Sequence, residues 1–174
     1  TLGGAIDLTK AISFPENGKR ILKIKFGGTT FSTGNTVFKV KAANGQGVQI
    51  AKLTKDGNIY ITNHWETDYR LCTGGWKSEM ELSFIFDDEK LTMTNGNNTI
   101  TEKYENIKDD SQNTVSKLDD WNLSYFYMWF PASAENVDFY IDEIKWMYVG
   151  ENDFICDEVA NKSDFGVLEA FSFR

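Results

Sequence analysis

Alternation with a period of two runs through most of this chain, and a chain patterned that way folds into sheets with one buried face. In the run RILKIKF, Leu22, Ile24 and Phe26 share one face while Lys23 and Lys25 take the other. VFKVKA repeats the arrangement with Phe38 and Val40 inward, and MELSFIF groups Met80, Leu82, Phe84 and Phe86 opposite Glu79, Glu81 and Ser83. Turn signals fall between such runs, at Glu16-Asn17-Gly18, Asn44-Gly45, Asp56-Gly57-Asn58 and Asn95-Gly96-Asn97-Asn98. Asn-Gly and Asp-Gly suit tight hairpin turns because those turns need positive φ. Roughly ten to twelve strands result, which is the pattern of a two-layer antiparallel sandwich. Residues 105–120 could hold one helical turn, and their polarity equally suits a plain loop.

A chain of 174 residues is long enough for one domain with a full core. The boundaries expected are a binding domain over 1–150 and an extension over 151–174. That extension holds a plausible strand at Val167–Phe173, which would pair at a sheet edge or lead toward a further domain. The chain begins with Thr and shows no signal peptide, as expected of a processed chain or an excised domain. No run of about 18 apolar residues exists, so no helical membrane span is expected.

The formal net charge of −8 would repel a polyanion, and no basic stripe interrupts it, so nucleic acid is not an expected partner. Lys23, Lys25, Lys39 and Lys41 alternate with apolar residues and are expected to form solvated faces. An acidic surface around an aromatic-rich chain, 14 % Phe, Trp and Tyr, is compatible with a secreted protein that meets neutral polymers, whose binding salt would hardly change. Cys72 and Cys156 cannot make a zinc site alone, and neither lies in a C-x-x-C motif. In an oxidising compartment they could pair, closing a loop of over eighty residues and contributing ~4 kcal/mol in the chain-entropy model. Two buried free thiols are the alternative.

Two segments together carry a family resemblance: GGWKSEMELSFIFDDEKLTMTNGNN, and FYIDEIKWMYV, where Asp142 interrupts an apolar strand. They resemble the concanavalin A-like jelly rolls, which include laminin-G-type domains, legume lectins and many carbohydrate-binding modules of polysaccharide-degrading bacteria. The resemblance covers roughly residues 20–149 and rests on fold-level patterns. It implies an all-β, two-sheet antiparallel jelly-roll sandwich, with the first segment a hairpin and the second the closing strand. It also implies that Asp142 could ligate a structural calcium with oxygens from the amino-terminal segment, against the simpler reading of an Asp capping a turn. Calcium needs six to eight oxygens, and only this one ligand is evident.

Enzymes of this fold carry signatures that are not matched. Laminarinase-like glycosidases place acidic residues as Glu-x-Asp-x-x-Glu on one strand, because retaining chemistry needs two carboxyls about 5–5.5 Å apart. Here Glu79 and Glu81 belong to a solvated face and Asp87-Asp88-Glu89 is a turn. The single histidine, His64, has no partnered Ser or Cys motif, and no Gly-rich phosphate loop occurs.

Binding of a sugar asks for aromatic faces against its C–H patch and polar side chains at its hydroxyls. In WNLSYFYMWF, Phe126, Met128 and Phe130 suit the core because they bring no polar atoms. Trp121, Leu123, Tyr125, Tyr127 and Trp129 share the other parity, and the resemblance implies that Tyr125, Tyr127 and Trp129 line a concave ligand-holding surface. The stretch TNHWETDYRLCTGG is read as a loop carrying His64, Trp65, Tyr69 and Arg70, and Tyr60 on the preceding strand would join the platform if the strands are neighbours. Trp76 and Trp146 are assigned to the core by parity. The expectation is thus a non-catalytic, polysaccharide-targeting module of a secreted or cell-surface bacterial protein, one domain of a larger protein, with an α-glucan such as starch or a plant β-glycan as ligand. Its alternatives are a laminin-G-like protein-interaction, adhesin or virion domain, and a diverged jelly-roll hydrolase or lyase using Tyr69, Arg70 and His64.

Overall fold

The computed structural model describes residues 2–7, 18–30, 36–42, 47–53, 58–62, 68–73, 79–87, 89–109, 111, 113–114, 123–130, 138–150 and 154–161. Among them run twelve strands: β1 (Leu2–Asp7), β2 (Lys19–Thr30), β3 (Thr36–Ala42), β4 (Gly47–Leu53), β5 (Asn58–Thr62) and β6 (Asp68–Thr73), then β7 (Met80–Phe86), β8 (Lys90–Thr94), β9 (Thr99–Lys103), β10 (Leu123–Phe130), β11 (Asp138–Val149) and β12 (Phe154–Asn161). Among the described residues one 3-10 turn, Tyr104–Asn106, follows β9. No helix among the described residues is long and apolar enough to cross a membrane.

The strands form two six-stranded sheets, ordered β1-β10-β3-β4-β5-β6 and β12-β11-β2-β7-β8-β9. Every pairing is antiparallel. The chain crosses between the sheets after β1, β2, β6, β9 and β10, so each sheet takes strands from both halves of the sequence. This is a two-sheet antiparallel sandwich of jelly-roll kind, the fold class expected from the sequence. The expected hairpin is β7–β8. The segment expected to close the sandwich is β11, which has β12 outside it and so is not an edge strand.

The core follows the period of two. Leu22, Ile24 and Phe26 of β2, Leu82, Phe84 and Phe86 of β7, and Phe38 and Val40 of β3 are all fully buried. Phe26 meets Phe38 edge-on across the sheets, with ring centroids 5.4 Å apart at 86°. This contact sets β2 over β3, and β6 touches β9 at one side of the sandwich. Trp146 is buried as parity requires and packs edge-on to Phe86 at 6.0 Å. The outward face of the β2-bearing sheet is charged and ion-paired, with Lys23 to Glu81 at 3.4 Å, Lys25 to Glu79 at 3.1 Å and Lys145 to Glu143 at 3.1 Å. Lys23 and Lys25 thus lie on the solvated face their alternation implies. The hydrogen bond from Lys25 to Glu79 and that carboxylate's charge hold the lysine pKa above its ordinary 10.5.

Where alternation fails, β-bulges account for it. In β4 both Ile50 and Ala51 are buried, because Phe38 pairs with Ala51 and Lys39 with Gln49, leaving Ile50 as the extra residue. In β11, Phe26 pairs with Ile141 and Lys25 with Glu143, so Asp142 is the extra residue and is half-exposed. In β10 the register steps from Leu123–Ala42 to Tyr125–Lys41 across Ser124. Leu123 therefore shares the core-side face of Ala42 and Val40, and not the face of Tyr125 that unbroken parity assigned to it.

Turns close on side chains. Asn95 Oδ1 accepts the backbone N–H groups of Asn97 at 3.0 Å and Asn98 at 2.8 Å, and Gly96 takes φ +95°. Asp87 Oδ1 likewise accepts N–H groups from Glu89 and Lys90, both at 3.1 Å. In the polar stretch after β9, the buried Asp109 carboxylate accepts from Ser111 and Asn113 backbone N–H, each at 2.8 Å.

Three expectations change. The stretch 62–75 is not a loop throughout, since Asp68–Thr73 is β6, held by pairing to β5 at the sheet edge. The carboxy-terminal segment contributes β12 over Phe154–Asn161, paired to β11, whereas the strand expected at Val167–Phe173 lies outside the described residues. Cys72 and Cys156 do not meet. Cys72 is on β6, at the sandwich side where β6 touches β9, and Cys156 is on β12, at the other end of the sheet that β9 terminates. Five strand spacings of about 4.8 Å separate those ends, against the Cα separation of about 7 Å at most that a disulfide spans. The Asn44-Gly45 and Asp56-Gly57 turns and Trp76 lie outside the described residues.

Candidate functional site

The register of the β1-β10-β3-β4-β5-β6 sheet decides which residues share its outward face. Met128 pairs with Phe38 and Phe126 with Val40, and Phe38 and Val40 are core residues. Positions 125, 127 and 129 therefore belong to the outward face, together with Lys41, Lys39 and Val37, their partners on β3. β4 adds Gln49 opposite Lys39, and Lys52 opposite Val37. β5 adds Tyr60 opposite Lys52, and β6 adds Arg70 opposite Tyr60.

One row of register partners thus crosses all six strands: Gly3, Trp129, Val37, Lys52, Tyr60, Arg70. A second runs Ala5, Tyr127, Lys39, Gln49, and a third Asp7, Tyr125, Lys41, Gly47. Tyr60 is on the same face as the β10 aromatics, but its strand is not a neighbour of β10. Two strands intervene, which puts Tyr60 three spacings, about 14 Å, from Trp129 along the row. Lys39, Gln49, Lys52 and Tyr60 are half-buried, as residues on a solvated sheet face are. The Lys52 ammonium lies 5.4 Å from the centroid of the Tyr60 ring, a cation–π contact that fixes a charge beside an aromatic surface.

The remaining expected site residues divide. Tyr69 pairs with Ile61, two residues from the buried Ile59 and on its face, so consecutive Tyr69 and Arg70 take opposite faces of β6. His64 and Trp65 lie outside the described residues, as does Trp121. Lys39, Lys41, Gln49 and Lys52 join the face without having been singled out for binding. Parity gave the direction of Lys39 and Lys41 alone, Gln49 and Lys52 share their face across the β4 bulge, and only strand order reveals that all four flank the aromatics.

Asp142 does not collect a calcium site among the described residues. After Glu79, its charge is a smaller contribution to the raised pKa of Lys25. No group of three or more His, Cys, Asp or Glu residues gathers among the described residues, and calcium takes six to eight oxygens. Further ligands were expected from the amino-terminal segment, of which residues 1 and 8–17 lie outside the described residues. A separate depression of about 460 Å³ is lined by Gly18, Lys19, Asp87, Glu89 and Lys90, at the β7–β8 turn. These residues belong to the other sheet and carry no aromatic ring.

No protein-family model matches the chain. No curated protein matches it in sequence. Solved structures resemble it in fold. A family 7 alginate lyase, A1-II′, solved with substrate, is 12 % identical with a TM-score of 0.46 over 85 % of this chain and 64 % of its own. CG-16, a homodimeric agglutinin from chicken liver, is 9 % identical with a TM-score of 0.46 over 83 % of this chain and 98 % of its own. A Congerin II double mutant is 9 % identical, with the same TM-score and coverage as the agglutinin. The chain thus spans less than two thirds of the lyase. Strand order and register carry the fold assignment, and these likenesses add no function to it.

Proposed function

We propose that this chain is a non-catalytic polysaccharide-binding module whose ligand lies across the outward face of the β1-β10-β3-β4-β5-β6 sheet. One observation supports this above others: the register gathers Tyr125, Tyr127, Trp129 and Tyr60 on a single face, interleaved with lysines and Gln49. Aromatic rings supply stacking surface for sugar C–H patches, and the amide and ammonium groups supply donors for hydroxyls. A stacking ring is worth about 1–3 kcal/mol when buried, or roughly ten- to a hundredfold in affinity. The module belongs to a secreted or cell-surface bacterial protein of several domains. The lyase reading would need Tyr69 and Arg70 in one cleft, and their opposite faces on β6 disfavour that pairing.

The test is native affinity electrophoresis against a panel of soluble polysaccharides, including α-glucans, plant β-glycans and acidic chains. Retardation by at least one polysaccharide without its depolymerisation is expected. Retardation by none, or shortening of the retarding polymer, removes the reading.

A further inference from the structure

We propose that the outward face of the β12-β11-β2-β7-β8-β9 sheet is where a second copy of this chain docks, about a two-fold axis that runs between β2 and β7. One row of register partners crosses that face as Met147, Ile21, Ile85, Thr92 and Thr101. Its first three members are apolar and adjacent, with Met147 buried and Ile21 and Ile85 half-buried. The Thr92 and Thr101 hydroxyls bond each other at 3.0 Å. Single apolar residues on a solvated face are ordinary, whereas a contiguous row is the kind of surface that proteins cover. The rows beyond it hold the ion pairs of Lys23 with Glu81 and Lys25 with Glu79, so lysines offset carboxylates there. Two copies that approach through this face avoid much of the repulsion that a net charge of −8 on each sets up elsewhere.

The register selects the axis. In a two-fold contact, a residue that lies on the axis meets its own copy. An axis along β2 would set Lys23 and Lys25 against themselves, and one along β7 would set Glu81 against itself. Between β2 and β7 the register pairs are Ile21–Ile85, Lys23–Ser83 and Lys25–Glu81, and each residue instead meets its register partner on the other copy. Ile21 then packs on the partner's Ile85, Lys25 faces the partner's Glu81, and Lys23 faces the partner's Ser83. One strand further out, β11 lies over the partner's β8, and Lys145 faces the partner's Thr94. No two like charges are opposed at these positions. Packed sheets keep their strands within about 30° of alignment, so pairs this close to the axis keep these partners. Three rows about 7 Å apart, on six strands about 4.8 Å apart, cover about 600 Å² per copy, at the low end for a specific interface. The dimer expected is therefore weak. It turns the other sheet of each copy outward, so both candidate glycan faces stay free.

The experiment is sedimentation equilibrium of the chain from about 5 to 500 µM, on the parent and on variants whose melting temperature is unchanged. A reversible monomer–dimer equilibrium is expected for the parent. Each contact occurs twice in the dimer, so Ile85→Lys should weaken association by about tenfold or more. Lys25→Glu converts two attractions into two repulsions and should weaken it by about tenfold. The double variant K25E/E81K restores opposite charges and should return to within about threefold of the parent. A chain that stays monomeric throughout overturns the proposal and leaves the row to another segment of the chain or to a different partner. A dimer indifferent to both Ile85→Lys and Lys25→Glu places the contact elsewhere and overturns it too. Failure of the double variant to recover what Lys25→Glu loses overturns the position of the axis. Association that grows past the dimer overturns the two-fold contact itself, because a closed two-fold stops at two copies.

Discussion

Replacing Phe38 with Ala tests the sandwich at the point where its two sheets are tied. Phe38 is fully buried on β3 and meets the fully buried Phe26 of β2 at 5.4 Å in an edge-to-face arrangement. A Phe→Ala change in a packed interior costs about 3–5 kcal/mol, from lost transfer energy plus the cavity left behind. Phe26→Ala should cost a similar amount. Because the rings touch, the double variant should lose less than the sum of the two, with a coupling of about 0.5–1.5 kcal/mol for the aromatic contact itself. Urea unfolding of the parent and the three variants, with a common m-value, gives all four numbers. Additive losses would show that the rings do not meet, and the placement of β2 over β3 would fall. A loss below about 1 kcal/mol for either single variant would show that its site is not a packed interior.

Glycine at 18 should resist substitution more than glycine at 96. Both have positive φ, but an added Cβ at Gly18 would meet Tyr148 Cε2 at 2.5 Å and Val149 O at 2.9 Å, whereas Gly96 has open space around it. Gly96→Ala should therefore cost about 1–2 kcal/mol of backbone strain and Gly18→Ala clearly more, as read by thermal unfolding; equal losses would contradict the contact. Asp109→Ala should lose about 1–3 kcal/mol because it removes two hydrogen bonds that the buried carboxylate accepts from the backbone of the exposed Ser111 and Asn113, and a loss within about 0.5 kcal/mol in urea would dismiss that role. Thiol titration of unfolded, unreduced monomer should find both Cys72 and Cys156 free, given their strands' separation; an intramolecular bridge would disprove the strand order at one edge.

Much of the fold was legible because burial follows residue parity wherever a strand runs unbroken. Leu22, Ile24 and Phe26, or Leu82, Phe84 and Phe86, could be assigned without coordinates. Parity breaks at bulges, and a bulge has no clear signature in the side chains. Asp142 interrupts the alternation of its strand because it is the extra residue of a bulge, while Ser124 hides the reversal that returns Leu123 to the core-side face. Strand order was the larger gap, because pairings such as β1 with β10 join residues far apart in sequence. Aromatic parity on β10 was readable, but that Lys39, Gln49 and Lys52 lie between those rings and Tyr60 depends on the non-local order of the sheet. β6 escaped notice because Tyr69, Arg70, Leu71 and Cys72 include a bulged residue and do not alternate. β12 escaped because its acidic residues, Asp157 and Glu158, interrupt its apolar ones.

The central claim is that the outward aromatic face holds the ligand, and Trp129→Ala tests it most directly. The variant is titrated calorimetrically with the polysaccharide that retards the parent most, after circular dichroism and melting establish that it is folded. Loss of a stacking ring should weaken binding by roughly ten- to a hundredfold. A folded variant that binds as tightly as the parent would contradict the account and move the search to residues 62–75.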